Sequence, residues 1–527
     1  MWYRDLPFNP GAESVCENTG DEDMVDGRTQ VVDMDMSGQR GIPMGTLLGR
    51  QADKAPNAPV LTFGEVTLTR LEFEQRANRR ARALAELGVL QDDMVVIALP
   101  NGFEFYETSF ALWKLGATPA PVSYRLPDIE LNGIIDLIEP RLVIGVDATR
   151  RAGHHGLPHG FEPDARLSSA PLPERVAKYW KATTSGGSTG RPKVIVDHMP
   201  SVWDPDALVI GRKPGETVLN PGPLYHTGPF VIMHTAVVGS SHVINMSRFE
   251  ALEWLQLVAL HRVEWAYLVP TMMNRIGRLS ERDQFDVSSL NMIVHMAGPC
   301  PPWLKRQWID WLGAGRIWET YAGTEAVGGC MNSGHDWLAH PGTVGRPMGG
   351  CEVFILDENG APLPSGDIGE IYFQASTTSG AGFHYLGGEP RASGSLKGYG
   401  DIGYLDNDGF LYLSDRRTDM FVTGGANIYP AEIEAAIERH PAVRSCVVVG
   451  LPDEEFGQIA HAVVDIPDEA RGDVDPEALL QFLREHLVTY KLPRSMEFLS
   501  EPLRDDAGKV RRAAVRDAVI ARLRRAN

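Results

Sequence analysis

Ser185-Gly186-Gly187-Ser188-Thr189-Gly190-Arg191-Pro192-Lys193 packs three glycines, three hydroxyls, an arginine and a lysine into nine residues. Glycines let backbone N–H groups crowd around an anion without Cβ clashes. Hydroxyls and a lysine add donors and positive charge, which is the chemistry a nucleotide triphosphate asks for. The spacing is not that of the common P-loop, in which four residues separate the first glycine from Gly-Lys-Ser/Thr. The Pro-Lys ending is a different signature.

Outward from this stretch the chain alternates strand and helix patterns. Upstream, Val60–Leu68 reads as a hairpin around Gly64. Thr69-Arg70-Leu71-Glu72 reads as a capping box opening a helix that stops at Gly88. Strands follow at Met94–Leu99, Thr118–Val122 and Leu142–Val146, with helices at Phe103–Leu115 and Ile129–Ile138. Downstream the pattern returns: strands Trp265–Val269, Met292–Met296 and Arg316–Trp318, helices Thr271–Leu279 and Trp303–Leu312. Such alternation predicts α/β lobes with parallel sheets. From about Gly350 the style becomes antiparallel, with strands Glu352–Leu356 and Gly369–Phe373, a turn at Asp406-Asn407-Asp408-Gly409 and a Gly/Ser-rich loop over Ser393–Gly400. Beyond Asp419 a compact mixed segment reads as a small α+β domain, with helices near Ala431–Arg439 and Pro476–Leu487, strands Ser445–Val449 and Ala460–Asp465, and a basic helix Lys509–Arg525. The expected division is an irregular arm over 1–45, a large α/β domain with a β subdomain over 46–417, and a mobile small domain over 418–527.

Composition narrows the function. A chain of 527 residues is too long for one core. Asp and Glu outnumber Lys and Arg 69 to 50, a net charge of −19, which argues against nucleic-acid binding. A local basic loop on an acidic protein still admits a nucleotide. Five scattered cysteines form no CxxC pair, so neither a disulfide framework nor a zinc site is expected, and free thiols fit a reducing cytoplasm. The N-terminal residues lack a signal-peptide pattern, no window reaches ~18 apolar residues, and Arg-Ala-Asn at the end is no peroxisomal address.

Further segments carry chemistry. Pro223-Leu224-Tyr225-His226-Thr227-Gly228 sets an aromatic and an imidazole beside each other. Met296-Ala297-Gly298-Pro299 follows a strand end, where open α/β sheets bind ligands. Glu319-Thr320-Tyr321-Ala322-Gly323-Thr324-Glu325 offers a ring, a hydroxyl and a carboxylate suited to a hard cation. Asp401 in Gly400-Asp401-Ile402-Gly403-Tyr404 can accept from two neighbouring hydroxyls. Asp415-Arg416, Gly424-Gly425 and Gly508-Lys509 complete the series.

In this order, and over nearly the whole chain from about residue 45, these segments resemble the adenylate-forming superfamily: acyl-CoA synthetases, peptide-synthetase adenylation domains and beetle luciferases. Ser414–Met420, Val269–Arg275 and Pro302–Lys305 look most like bacterial bile-acid–CoA and fatty-acyl-CoA ligases. The resemblance implies roles. Ser185, Gly186, Gly187, Ser188, Thr189, Gly190 and Lys193 would cradle ATP phosphates; Ala297, Gly298 and Pro299 would pack on adenine; Glu319 and Thr320 would join that nucleotide wall, and Tyr321 would stack on the base. Thr324 would contact the α-phosphate, Glu325 would hold Mg²⁺, and Asp401 and Arg416 would bind ribose. Tyr225, His226, Phe230, Met296, Ala322 and Gly323 would line the acyl pocket, Gly323 leaving room for a bulky acid. Gly424 and Gly425 would let the pantetheine of CoA pass, Thr418 would be the hinge, and Lys509 would bridge carboxylate and α-phosphate where charge develops. His226 is also a candidate for the catalytic set with Lys509, Thr324 and Glu325.

The chain departs from the pattern at Gly186, Ala322-Gly323 and Thr418, and Asp505-Asp506 adds acid near Lys509 without an evident reason. The implied reaction is ATP-dependent activation of an apolar, bulky carboxylic acid of steroid or fatty type as acyl-AMP, then transfer to CoA. No carrier domain is expected after Lys509, which argues against a built-in peptide-synthetase module. An amide-forming ligase using an amine, and a non-catalytic nucleotide-binding protein on this fold, remain alternatives, and a homodimer fits the family.

Overall fold

Thr69 and Glu72 exchange the reciprocal hydrogen bonds of a capping box, and the helix they open runs Arg70–Glu86. Gly88 stands just past its end with φ +88°, a left-handed position that costs a glycine little. The same local logic builds the rest of the computed structural model. It describes residues 41–151, 153–185, 193–375, 382–390, 392–416, 419–423, 426–453, 455–468, 474–505 and 508–526. Within the stretch expected as an arm, a strand Ile42–Pro43 and a helix Met44–Lys54 already form, with Met44 fully buried.

The first layer is a four-stranded parallel sheet in the order Thr118–Pro121, Met94–Ile97, Leu142–Ile144, Gly156–Leu157. The helices Phe103–Leu115 and Asp128–Ile138 connect it. The second sheet has a parallel run: Pro59–Phe63, His242–Asn245, Thr217–Asn220, Trp265–Leu268, Met292–His295 and Ile317–Ala322. It then turns antiparallel through Gly329–Ser333, Thr343–Pro347, Leu411–Arg416, Asp401–Leu405 and Gly369–Gln374. Parallel strands need helical crossovers, and a sheet covered on both faces is apolar throughout. The apolar helices supply that cover: Trp254 and Trp308, both fully buried, meet edge to face with centroids 6.3 Å apart. Truncating either to alanine would cost about 3–5 kcal/mol.

A three-stranded sheet pairs Phe383–Leu386 with Lys193–Asp197 and Ala182–Ser185. A separate five-stranded sheet begins at Phe421–Thr423 and encloses its own apolar cluster around Ile433, Cys446 and Ala462. Two short strands, Ala392–Ser393 and Leu396–Lys397, lie where a loop was expected, because Lys397 finds a register partner in Phe373. Among the described residues no helix is long and apolar enough to cross a membrane.

Candidate active site

Four neighbouring parallel strands end on one side of the second sheet, and their continuations carry the candidate residues. Strand Thr217–Asn220 leads to His226, Trp265–Leu268 to Thr271, Met292–His295 to Ala297, and Ile317–Ala322 to Glu325. Carboxyl ends of parallel strands are where open α/β sheets take ligands.

Polar anchors beneath the first of these turns hold it in place. Asn101 donates to the carbonyls of Gly222 (2.9 Å) and Met246 (3.0 Å) and accepts from the Leu224 N–H (2.9 Å). Gly222 is required by close approach, since a Cβ there would strike the Tyr267 hydroxyl. The Tyr225 ring leans against that of His226, with centroids 4.7 Å apart and planes tilted by 48°. The next residue, Thr227, donates to Thr183 at 3.0 Å. Thr183 sits on the strand Ala182–Ser185, which leads into the glycine-rich stretch.

His226 is mostly enclosed, and its Nε2 has no hydrogen-bond partner. Burial, and then the charge of Lys509, hold its pKa down to about 3, so the imidazole is neutral at ordinary pH. Asp505 Oδ2 lies 3.9 Å from the His226 Nε2. Gly508, beside Lys509, has φ +73°, and a Cβ built there would lie 3.0 Å from Thr271 Oγ1 and 3.3 Å from Val269 Cγ2. The Lys509 turn is therefore seated on the ends of two sheet strands. Two contacts hold the small domain in this seat. Arg511 grips Glu130 with both amino groups at 2.8 and 2.7 Å. Arg278 donates to the carbonyls of Pro441 (2.8 Å) and Glu438 (3.2 Å).

On the adjacent strand the Tyr321 hydroxyl donates to Asp401 Oδ2 at 2.6 Å. Burial, then the Asp401 carboxylate, push this phenol well above its usual pKa, so it remains a donor. Expected base-stacking and ribose-binding residues are thus brought into contact across 80 residues of chain. Arg416 stands opposite Asp401 in the strand register. Glu325 accepts from the Tyr385 hydroxyl at 2.7 Å, and Lys193 Nζ lies 5.4 Å from the centroid of that same ring. Tyr385 was not singled out in the sequence; its alignment beside the strand carrying Lys193 is what brings it here. Ala297 (φ +71°) and Ala326 (φ +51°) are non-glycine residues in the left-handed region. Such strain, about 1–3 kcal/mol each, gathers at ligand sites. Met296 is nearly buried, and its sulfur lies 3.5 Å from where Gly228 would carry a Cβ. Pro299 and Gly298 are exposed at the rim, and Ala322 and Thr324 close the strand end.

Three expected roles are not what the packing supports. Glu319 is claimed within the protein: its carboxylate is taken by Lys305 Nζ at 2.6 Å, a cation that also donates to Asn332 at 3.0 Å. Thr320 beside it donates to the Cys330 carbonyl at 3.3 Å. Phe230 is sealed in an aromatic core, fully buried and 4.2 Å from the His234 ring, with Trp113 at 5.9 Å. Gly323 leaves no empty room, because a Cβ there would collide with the Tyr399 ring. Gly186, Gly187, Ser188, Thr189, Gly190, Thr418, Gly424 and Gly425 lie outside the described residues, as do the side chains of Ser185 and Arg416.

A family model for AMP-binding enzymes matches residues 48–380, and one for the AMP-binding enzyme C-terminal domain matches 432–509. Feruloyl-CoA synthase of an Amycolatopsis species is 30% identical over 90% of this chain and 98% of its own. Long-chain-fatty-acid–CoA ligase FadD13 of Mycobacterium tuberculosis is 28% identical over 91% and 99%. In fold, the chain is similar to the amide bond synthetase McbA from Marinactinospora thermotolerans, with a TM-score of 0.74 and 23% identity over 90% of this chain and 100% of that one.

Proposed function

We propose, from the premise that this chain belongs to the AMP-binding, adenylate-forming enzyme family, that it is an AMP-forming acyl-CoA synthetase for an apolar monocarboxylic acid of aromatic or fatty type. The observation that carries the reading is the Lys509 turn seated beside His226, with the Tyr321–Asp401 and Tyr385–Glu325 pairs on the neighbouring strand end.

In the first half-reaction a carboxylate oxygen attacks the α-phosphorus of ATP. The new O–P bond forms as the bond to the β-phosphate oxygen breaks, and pyrophosphate leaves. Lys509 meets the negative charge that develops between the carboxylate and the α-phosphate. Asp401 accepts from the ribose hydroxyls, Arg416 supports that end, and Thr324 donates to the α-phosphate. Lys193, with the glycine-rich stretch from Ser185 to Gly190, holds the phosphates. Glu325 fits a hard divalent cation: it is a carboxylate with one oxygen fixed by a phenol donor. Mg²⁺ held there would neutralise phosphate charge. In the second half-reaction the sulfur of CoA attacks the acyl carbon, a C–S bond forms, the C–O bond to AMP breaks, and the thiol proton goes to solvent. The domain division at 417/418, rotation about Thr418, and passage of the thiol past Gly424 and Gly425 belong to this same proposal.

The acid's class follows from what surrounds His226. Tyr225, Met296 and a neutral imidazole are uncharged and set no cation of their own against a second carboxylate. With Tyr399 filling the space over Gly323, the reason to favour a steroid-sized acid is gone, so flat aromatic and linear fatty acids are preferred. The test is acyl-CoA formation by mass spectrometry with Mg-ATP, CoA and a panel of ferulate, fatty acids, steroid acids and dicarboxylates, with and without amines. Thioesters of the first two groups are expected. Preferential use of dicarboxylates, or amides in place of thioesters, overturns the proposal.

A further inference from the structure

Asp505 departs from the family pattern without an evident reason in the sequence, and the structure gives it one. The carboxylate bends back on its own turn: the Lys509 N–H donates to Asp505 Oδ1 at 2.8 Å. Two main-chain bonds close the same turn, from Asp505 N–H to the Lys509 carbonyl and from Gly508 N–H to the Asp505 carbonyl, both 2.9 Å. Arg504 ties it to the small domain by donating to the carbonyls of Gly508 (3.3 Å) and Cys446 (3.2 Å). The other oxygen, Oδ2, points across the domain boundary to His226 Nε2, 3.9 Å away. That nitrogen is buried and has no hydrogen-bond partner, so a shift of about 1 Å would make one.

We propose that Asp505 is a positioning residue for Lys509. One oxygen fixes the main chain from which the Lys509 side chain departs, and the other registers that turn against His226 at the end of the acyl site. A flexible lysine whose main chain is already held loses less freedom on reaching the reacting atoms. The inference rests on the reading of Lys509 as the cation of the first half-reaction. Asp505 therefore acts in adenylation and not in thioester formation.

The experiment separates the half-reactions in the full chain. ATP–pyrophosphate exchange driven by a turned-over acid reads the first, and CoA thioester formation from a supplied acyl-adenylate reads the second. Asp505→Ala is expected to slow exchange ~10–100-fold while changing thioester formation by less than about twofold. Asp505→Asn keeps the Oδ1 acceptor and is expected to recover exchange to within about threefold of the parent. Unchanged thioester formation in the same preparation shows that each variant is folded. Equal losses in both half-reactions, unimpaired exchange in Asp505→Ala, or an Asn variant as slow as the Ala variant would each overturn the proposal. Lys509→Ala runs alongside: if it leaves exchange intact, the reading of Lys509 fails first, whereas lost exchange there with intact exchange in Asp505→Ala sinks only the inference about Asp505.

Discussion

In the proposed reaction Lys509 and Tyr385 would serve opposite ends of the same phosphate chain, and their variants should fail differently. On the proposed reading, Lys509→Ala removes the cation that would meet charge present only during bond formation. It should cut ATP–pyrophosphate exchange by about 100-fold or more with little change in the KM for ATP. A raised KM with intact turnover would show that Lys509 only binds. Tyr385→Phe keeps the ring near Lys193 but removes the hydroxyl from Glu325. The carboxylate is then less well oriented, and the Mg²⁺ concentration for half-maximal exchange should rise by about threefold to tenfold. An unshifted Mg²⁺ titration would refute that role. Of the residues the sequence names, folding sets His226 beside Lys509, Tyr321 on Asp401, and Glu325 and Lys193 on either side of Tyr385. Tyr385 was not legible, because its partner lies 60 residues away. Glu319, Phe230 and Gly323 were misread for a related reason. A motif string does not say which members face the ligand and which are claimed from behind, here by Lys305, His234 and Tyr399.

Helices were legible where a local signal marks them. The capping box at Thr69, the left-handed Gly116 after Leu115, and Pro302 at the start of Pro302–Leu312 each fix a boundary within a residue or two. The helix Thr227–Val238 was missed although it follows His226 directly. Its sequence is apolar on all sides, so no 3.6-residue stripe stands out, and nearly all of it is buried. The contacts between elements of the two domains were invisible to any periodic reading. Arg278 closes the helix Pro270–Gly277 and reaches carbonyls just beyond the helix Pro430–Ile437, where a cation also suits the helix dipole. Arg278→Ala should therefore loosen the seat of the small domain and not the fold of either. Exchange is expected to fall by about threefold to tenfold, with thioester formation from supplied acyl-adenylate unchanged. Loss of both activities in proportion would mean that Arg278 serves only stability.

For the whole molecule, the buried histidines set how stability follows pH. Burial holds His226 and His234 at about 3 and His242 and His295 at about 4. Unfolded, each returns to about 6.5. Between these values the unfolded chain binds a proton that the native chain refuses, so stability rises with pH across that window and falls on acidification. All four lie in the large domain, which should take up about four protons on unfolding near pH 5. Glu438 works the other way. Burial, only partly offset by Arg504, raises its pKa to about 7, so its contribution is present at low pH and is lost as pH rises through 7. It lies in the small domain, partly buried beside Arg278 of the large one, and there it opposes His440 and His461, whose pKa values burial lowers. Calorimetric unfolding from pH 7.5 to 5 should therefore lower the large domain's transition temperature steeply and the small domain's less. A large-domain transition that stays level or rises toward pH 5 would contradict neutral burial of these imidazoles. His226 is the informative member, because Lys509 is the second cause of its lowered pKa. Removing that charge with Lys509→Ala should lift the His226 pKa, measurable by NMR titration, only if the turn is seated against it in solution.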